Sequence, residues 1–161
     1  MRFPPKLGIL ACGLLLAMAP GAPSAQDHRH HAANEGRHAA APDRRREIAL
    51  AREERDFVLV EMRGFLESVR AMGTAVADGR PAAAAAAARR SGMATTHDVP
   101  ASLRQKLPAE WKTLGMDTHQ RFDALALEAD GIGDAAQITR QLAGVLDNCT
   151  ACHAAFRLSM P

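Results

Sequence analysis

The chain has no tyrosine, one tryptophan and five phenylalanines among its 161 residues, and runs of β-branched residues are few. Strands draw on those residue types, so their scarcity argues against a sheet-based core. Cysteine is nearly absent as well, at Cys12, Cys149 and Cys152 only. So few, with two of them close together near the end, cannot form the disulfide framework of a small secreted protein. Neither sign of charge dominates: 20 Lys and Arg face 18 Asp and Glu. That balance lacks the basic excess that nucleic-acid binders usually show. No Ser, His and Asp arrangement suggests a nucleophile and no glycine-rich phosphate loop occurs, so nothing points to an enzyme. Beyond the first 25 residues no apolar run approaches the roughly 20 residues needed to cross a bilayer.

Those first residues read as a secretory signal, residues 1–25. Arg2 and Lys6 give the positive start, residues 7–19 are apolar, and small residues follow up to a cleavage point placed after Ala25. Cys12, behind Ile9-Leu10-Ala11, loosely matches a lipid-attachment box, but the apolar stretch before it is short. The reading adopted is that Cys12 is removed with the signal. The mature chain then holds 18 charges of each sign and no cysteines besides Cys149 and Cys152. Residues 26–42 follow as a polar, Ala-rich segment with His28, His30, His31 and His38. Such tracts either bind metal ions or stay disordered, and with nothing to fix a geometry disorder is the expectation. A metal-capturing role for this tract is the alternative.

Residues 43–161 are expected to form one helical domain, being rich in Ala, Leu, Arg and Glu. The first helix is expected over residues 42–77, capped by Asp43. Val58, Met62, Phe65, Val69 and Met72 form one face, with Glu61, Arg63, Glu67 and Arg70 mostly on the other. The turn Asp78-Gly79-Arg80-Pro81 separates it from a second helix over residues 81–95, built on the alanine run 82–88. Residues 97–107 read as a loop. A third helix runs from Pro108 to about Ala129, with Trp111, Gly115, Thr118, Phe122, Leu125 and Ala129 on one side. Asp130-Gly131-Ile132-Gly133 is a turn. The fourth helix, residues 134–158 with Asp134 as N-cap, aligns Ile138, Leu142, Val145, Cys149, Cys152 and Phe156 on a buried seam. The expected class is all-α, an antiparallel four-helix bundle.

Near the end of the fourth helix stands Cys149-Thr150-Ala151-Cys152-His153, which adds one covalently bound haem to the expected bundle. C-x-x-C-H is the attachment sequence of c-type haem. Two thiols form thioethers with the vinyl groups, and the adjacent imidazole of His153 binds the iron. A helix brings cysteines three residues apart to one side. The same pair could instead be a redox disulfide or half of a zinc site. The redox motif prefers a helix start after a strand, which is not seen, and zinc would need a second ligand pair. Export agrees with haem, because bacterial c-type haem is attached outside the cytoplasmic membrane.

With the motif on the last helix, followed by Phe156 and Arg157, the chain resembles the class II cytochromes c, the cytochrome c-prime family. The resemblance covers about residues 50–158 and is most specific in the last helix. Residues 55–62 look like the family's distal helix, and Leu103 to Trp111 is similar to its Pro/Trp region. The resemblance implies Cys149 and Cys152 as haem thioethers and His153 as proximal iron ligand. It also implies Arg55 near a propionate and Arg157 near the haem edge. Met62 is the candidate distal ligand, with Leu59 a turn earlier and Met72 further along. His119 and His97, each a turn from a methionine, are weaker candidates. The expected function is a periplasmic monohaem electron carrier serving redox partner proteins, with homodimers known among relatives. The alternative is a five-coordinate binder of nitric oxide or carbon monoxide.

Overall fold

The computed structural model describes residues 42–160. The expected secretory signal with Cys12, and the His-rich segment up to residue 41, lie outside the described residues.

The first regular element is a strand, β1 (Arg46–Ala49), where a helix was expected. It pairs in parallel with β2 (Phe156–Ser159), the last element, with Ile48 opposite Leu158 and Glu47 opposite Arg157. The pairing is extended by the Leu50 amide, which donates to the Ser159 carbonyl at 3.0 Å. Ile48 and Leu50 are buried against Val58, Leu103 and Phe156. Burial of these side chains and ladder bonding together override the helical propensity of the stretch.

Helix α1 therefore starts at Arg52, not near Asp43, and ends at Ala77 as expected. Its start is set by Glu54, whose carboxylate accepts from the Ala51 amide at 3.0 Å and from Lys106 Nζ at 2.6 Å. Val58, Phe65, Ser68, Met72 and Ala75 are its buried stripe, spaced by threes, fours and sevens as a helix face requires.

Helix α2 (Pro81–Arg89) is shorter than expected. Pro81 opens it, where a missing N–H is harmless. Ala84, Ala85, Ala87 and Ala88 are all buried, and their small side chains let α1 and the later helix α4 pack closely on it. The chain then breaks at Gly92. An added Cβ there would overlap the Asp123 carboxylate, which also accepts from the Met93 amide at 3.1 Å. A 3₁₀ helix (Met93–Asp98) follows, with Thr95 and Thr96 hydroxyls donating to the Gly92 and Met93 carbonyls. The expected loop contains a further short helix, α3 (Ala101–Lys106), seated by the buried Leu103.

Helix α4 (Ala109–Asp130) matches expectation, with Thr118, Phe122, Leu125 and Ala129 buried. Gly133, at φ 69°, takes the left-handed conformation that closes the turn. Helix α5 (Ala135–Ala155) starts at Asp134, whose carboxylate accepts from the Gln137 amide at 2.6 Å. It stops three residues earlier than expected, because residue 156 turns extended to enter β2. The fold is mostly helical with one two-stranded sheet.

Two apolar clusters form the core. Phe65, Met72, Phe122, Leu125, Ile138 and Val145 fill the larger one, between α1, α2, α4 and α5. The smaller is centred on Ile48, Leu50, Val58, Leu103 and Phe156, and Met62 packs against both. No helix of the described residues is long and apolar enough to cross a membrane.

Candidate functional site

A cavity of about 380 Å³ opens between α1, α4 and α5. Helix α1 contributes Leu59, Met62, Phe65 and Val69, and α4 contributes Trp111, Leu114 and Gly115. From α5 come Leu146, Cys149, Cys152 and His153. The polar part of the wall is confined to Glu61, Arg63, Thr118, His119, Asn148 and His153.

The two cysteines lie in the last turns of α5 as free thiols, each half-buried. They border the apolar interior but are less enclosed than the fully buried seam expected, where Asn148 instead is the buried neighbour. Burial pushes the Cys149 thiol above its ordinary range. It lifts Cys152 to about 11, with the adjacent Cys149 sulfur adding to the effect. Both are neutral thiols at pH 7. A redox-disulfide pair needs the opposite, a thiolate stabilised at a helix N-terminus or by a cation. Here the pair sits at the C-terminal end, where the helix dipole opposes negative charge. Among the described residues no cluster of three or more His, Cys, Asp or Glu could hold a free metal ion, so the pair lacks the partners of a zinc site.

His153 is exposed at the edge of the cavity, and its carbonyl accepts from Arg45 Nη1 at 3.4 Å. Three residues later, Phe156 packs edge-on against Trp111, with ring centroids 5.6 Å apart. That contact ties the start of β2 to α4 behind Trp111, which lines the cavity.

Met62 faces this cavity from α1, as does Leu59, while Met72 is fully buried in the larger core and lines no part of it. His119 also lines it, but both ring nitrogens are engaged. Nδ1 lies 2.9 Å from the Ser91 carbonyl and Nε2 lies 3.4 Å from Glu61 Oε1. Burial pulls the affinity of His119 for its proton down, but Glu61 and the Ser91 carbonyl more than offset it, and the pKa ends above the ordinary value. Its ring also leans on Phe65 at 5.1 Å. His119 is thus a wall residue whose two ring nitrogens both face acceptors of the protein. His97 is exposed on the 3₁₀ helix and lies outside the cavity wall.

Arg55 is half-buried near the start of α1 and is not in the cavity wall. Arg157 is not in it either, and pairs with Glu47 across the β1–β2 ladder. The wall instead holds Arg63 and Glu61, which the helical face pattern puts on the far side of α1. A single stripe misses them because α1 packs against neighbours on more than one side. Asn148 carried no signal in sequence. Its amide donates to Asp117 at 2.7 Å, and that bond, aided by Arg121, holds the Asp117 carboxyl below the usual range.

Compared with protein-family models, with curated proteins and with solved structures, the chain matches none.

Proposed function

We propose that the chain is a monohaem c-type cytochrome of the periplasm, a single-electron carrier of class II type. The observation that carries the reading is that Cys149, Cys152, His153 and Met62 all line one apolar cavity. Two thiols, an imidazole and a thioether are the donor set such a cofactor takes from its protein, so the residues fit. Haem attached there would supply a one-electron iron couple.

The chain's own residues have definable parts in this reading. Cys149 and Cys152 anchor the cofactor covalently, and His153 binds from the α5 side. Met62 offers its sulfur from α1. Phe65, Val69, Trp111 and Leu114 exclude water and keep the local dielectric low, which favours the less charged oxidation state. In this proposal α1, α2, α4 and α5 are the four helices of an antiparallel bundle. Its oxidised and reduced forms serve partner proteins, with no substrate turned over.

The second reading, a five-coordinate binder of nitric oxide or carbon monoxide, draws on Leu59, which lines the same wall one turn from Met62. Optical spectra of the protein, oxidised and reduced, with and without carbon monoxide, separate the two. A low-spin spectrum with a sulfur-to-iron band and no carbon monoxide response is the expected result. A high-spin spectrum that shifts with carbon monoxide favours the second reading. Absence of haem overturns both.

A further inference from the structure

A second cavity, of about 290 Å³, adjoins the first. The two share Glu61, Trp111, Gly115 and His119 as a common wall, but the second opens toward α3 and the 3₁₀ helix. Its interior is apolar, made by Val58, Val99, Leu103, Leu107 and Trp111. Its border is not: Arg104 and Lys112, both exposed, line it as well. Lys112 Nζ also donates to the Arg104 backbone carbonyl at 3.3 Å, which holds the ammonium group against the end of α3. Among the described residues no carboxylate pairs with either. The carboxylate in this wall, Glu61, has Oε1 3.4 Å from His119 Nε2, so its partner is the imidazole of α4.

An apolar chamber with Arg104 and Lys112 at its border suits an amphipathic anion. We propose that the second cavity binds a small amphipathic carboxylate, its hydrocarbon part against Val99, Leu103, Leu107 and Trp111 and its carboxylate between Arg104 and Lys112. Carboxylates form charge-assisted bonds with guanidinium and ammonium groups, and the guanidinium adds planar geometry. Removal of a hydrocarbon chain from water supplies the remainder, by a factor of about four for each buried methylene. The volume is at the low end of ligand pockets, so the ligand is small, of fatty-acid type with a short chain.

The test is calorimetric titration of the full chain, with its cofactor as expressed, using octanoate as probe. Saturable binding of one octanoate is expected, about fifteenfold tighter than hexanoate from its two extra methylenes. Octanol should bind more weakly, and the double variant Arg104→Gln, Lys112→Gln should lose octanoate affinity by about tenfold while its helical circular dichroism is unchanged. Both side chains are exposed, so the variant keeps its core. Absence of saturable heat overturns the proposal, as does equal affinity for octanol or an unaffected double variant. The haem spectrum, recorded on the same samples, reports separately on the cytochrome reading. A sample without haem that still binds octanoate sinks that reading alone.

Discussion

His119 Nε2 stands 3.4 Å from Glu61 Oε1, while Nδ1 of the same ring lies 2.9 Å from the Ser91 carbonyl. Two acceptors on one imidazole favour the doubly protonated ring, in a side chain only 5% exposed. The ring therefore joins α4 to α1 and to the break after α2, and has no free lone pair for iron.

A pH dependence follows from this arrangement. The folded-state pKa of His119 is raised above its unfolded value. The stability it contributes is thus fully present below about pH 6.5 and is lost as pH rises through the folded value. Glu61→Gln should remove most of that dependence. Guanidinium unfolding followed at about pH 6 and about pH 8.5 checks it, since the stability difference between the two should shrink in the variant. An unchanged difference would mean that Glu61 does not hold the proton on His119.

Replacing either Cys149 or Cys152 with alanine should abolish double covalent attachment of haem. Mass spectrometry of the denatured protein, with haem staining, reads this out. Haem retained through two thioethers in either variant would show that the C-x-x-C-H reading is wrong.

Met62→Leu keeps the volume and apolar character of the cavity wall, so its cost to stability should stay below about 1.5 kcal/mol. What should change is the electronic spectrum, from low-spin to high-spin, with loss of the sulfur band. A variant spectrum identical to that of the parent removes Met62 as the distal ligand and leaves the covalent attachment standing.

Ile48 is 4% exposed and packs with Leu50, Val58, Leu103 and Phe156. Ile48→Ala should destabilise the fold by roughly 2–4 kcal/mol. It should also loosen the ladder that follows the His153 segment, raising amide exchange at Leu158 and its neighbours. Slow exchange at Leu158 in a destabilised variant would separate the core effect from the strand pairing.

The helical class and three of the main helix boundaries are legible in the sequence. Asp134 announces the start of α5, Pro81 that of α2, and Gly131 to Gly133 the turn before α5, because caps and turns are chemistry of a few adjacent residues. The C-x-x-C-H sequence was equally local, since its meaning rests on spacing alone. The β1–β2 pair was not legible. Its strands are separated by most of the domain, and a parallel partner that distant leaves no signature in either segment.

The sequence by itself determined the helical composition, the cap and turn positions, and a motif whose donors are adjacent in the chain. Tertiary structure alone decided which side chains surround that motif. It brought Met62 and Leu59 to the cavity shared with Cys149 and Cys152, turned His119 toward Glu61 and Ser91, and set Arg157 on Glu47. It also put Arg104 and Lys112 on the border of a second apolar chamber. The reason is physical: local signals report backbone preference residue by residue. A cavity wall instead depends on how α1, α4 and α5 pack, which is fixed only when their buried faces meet.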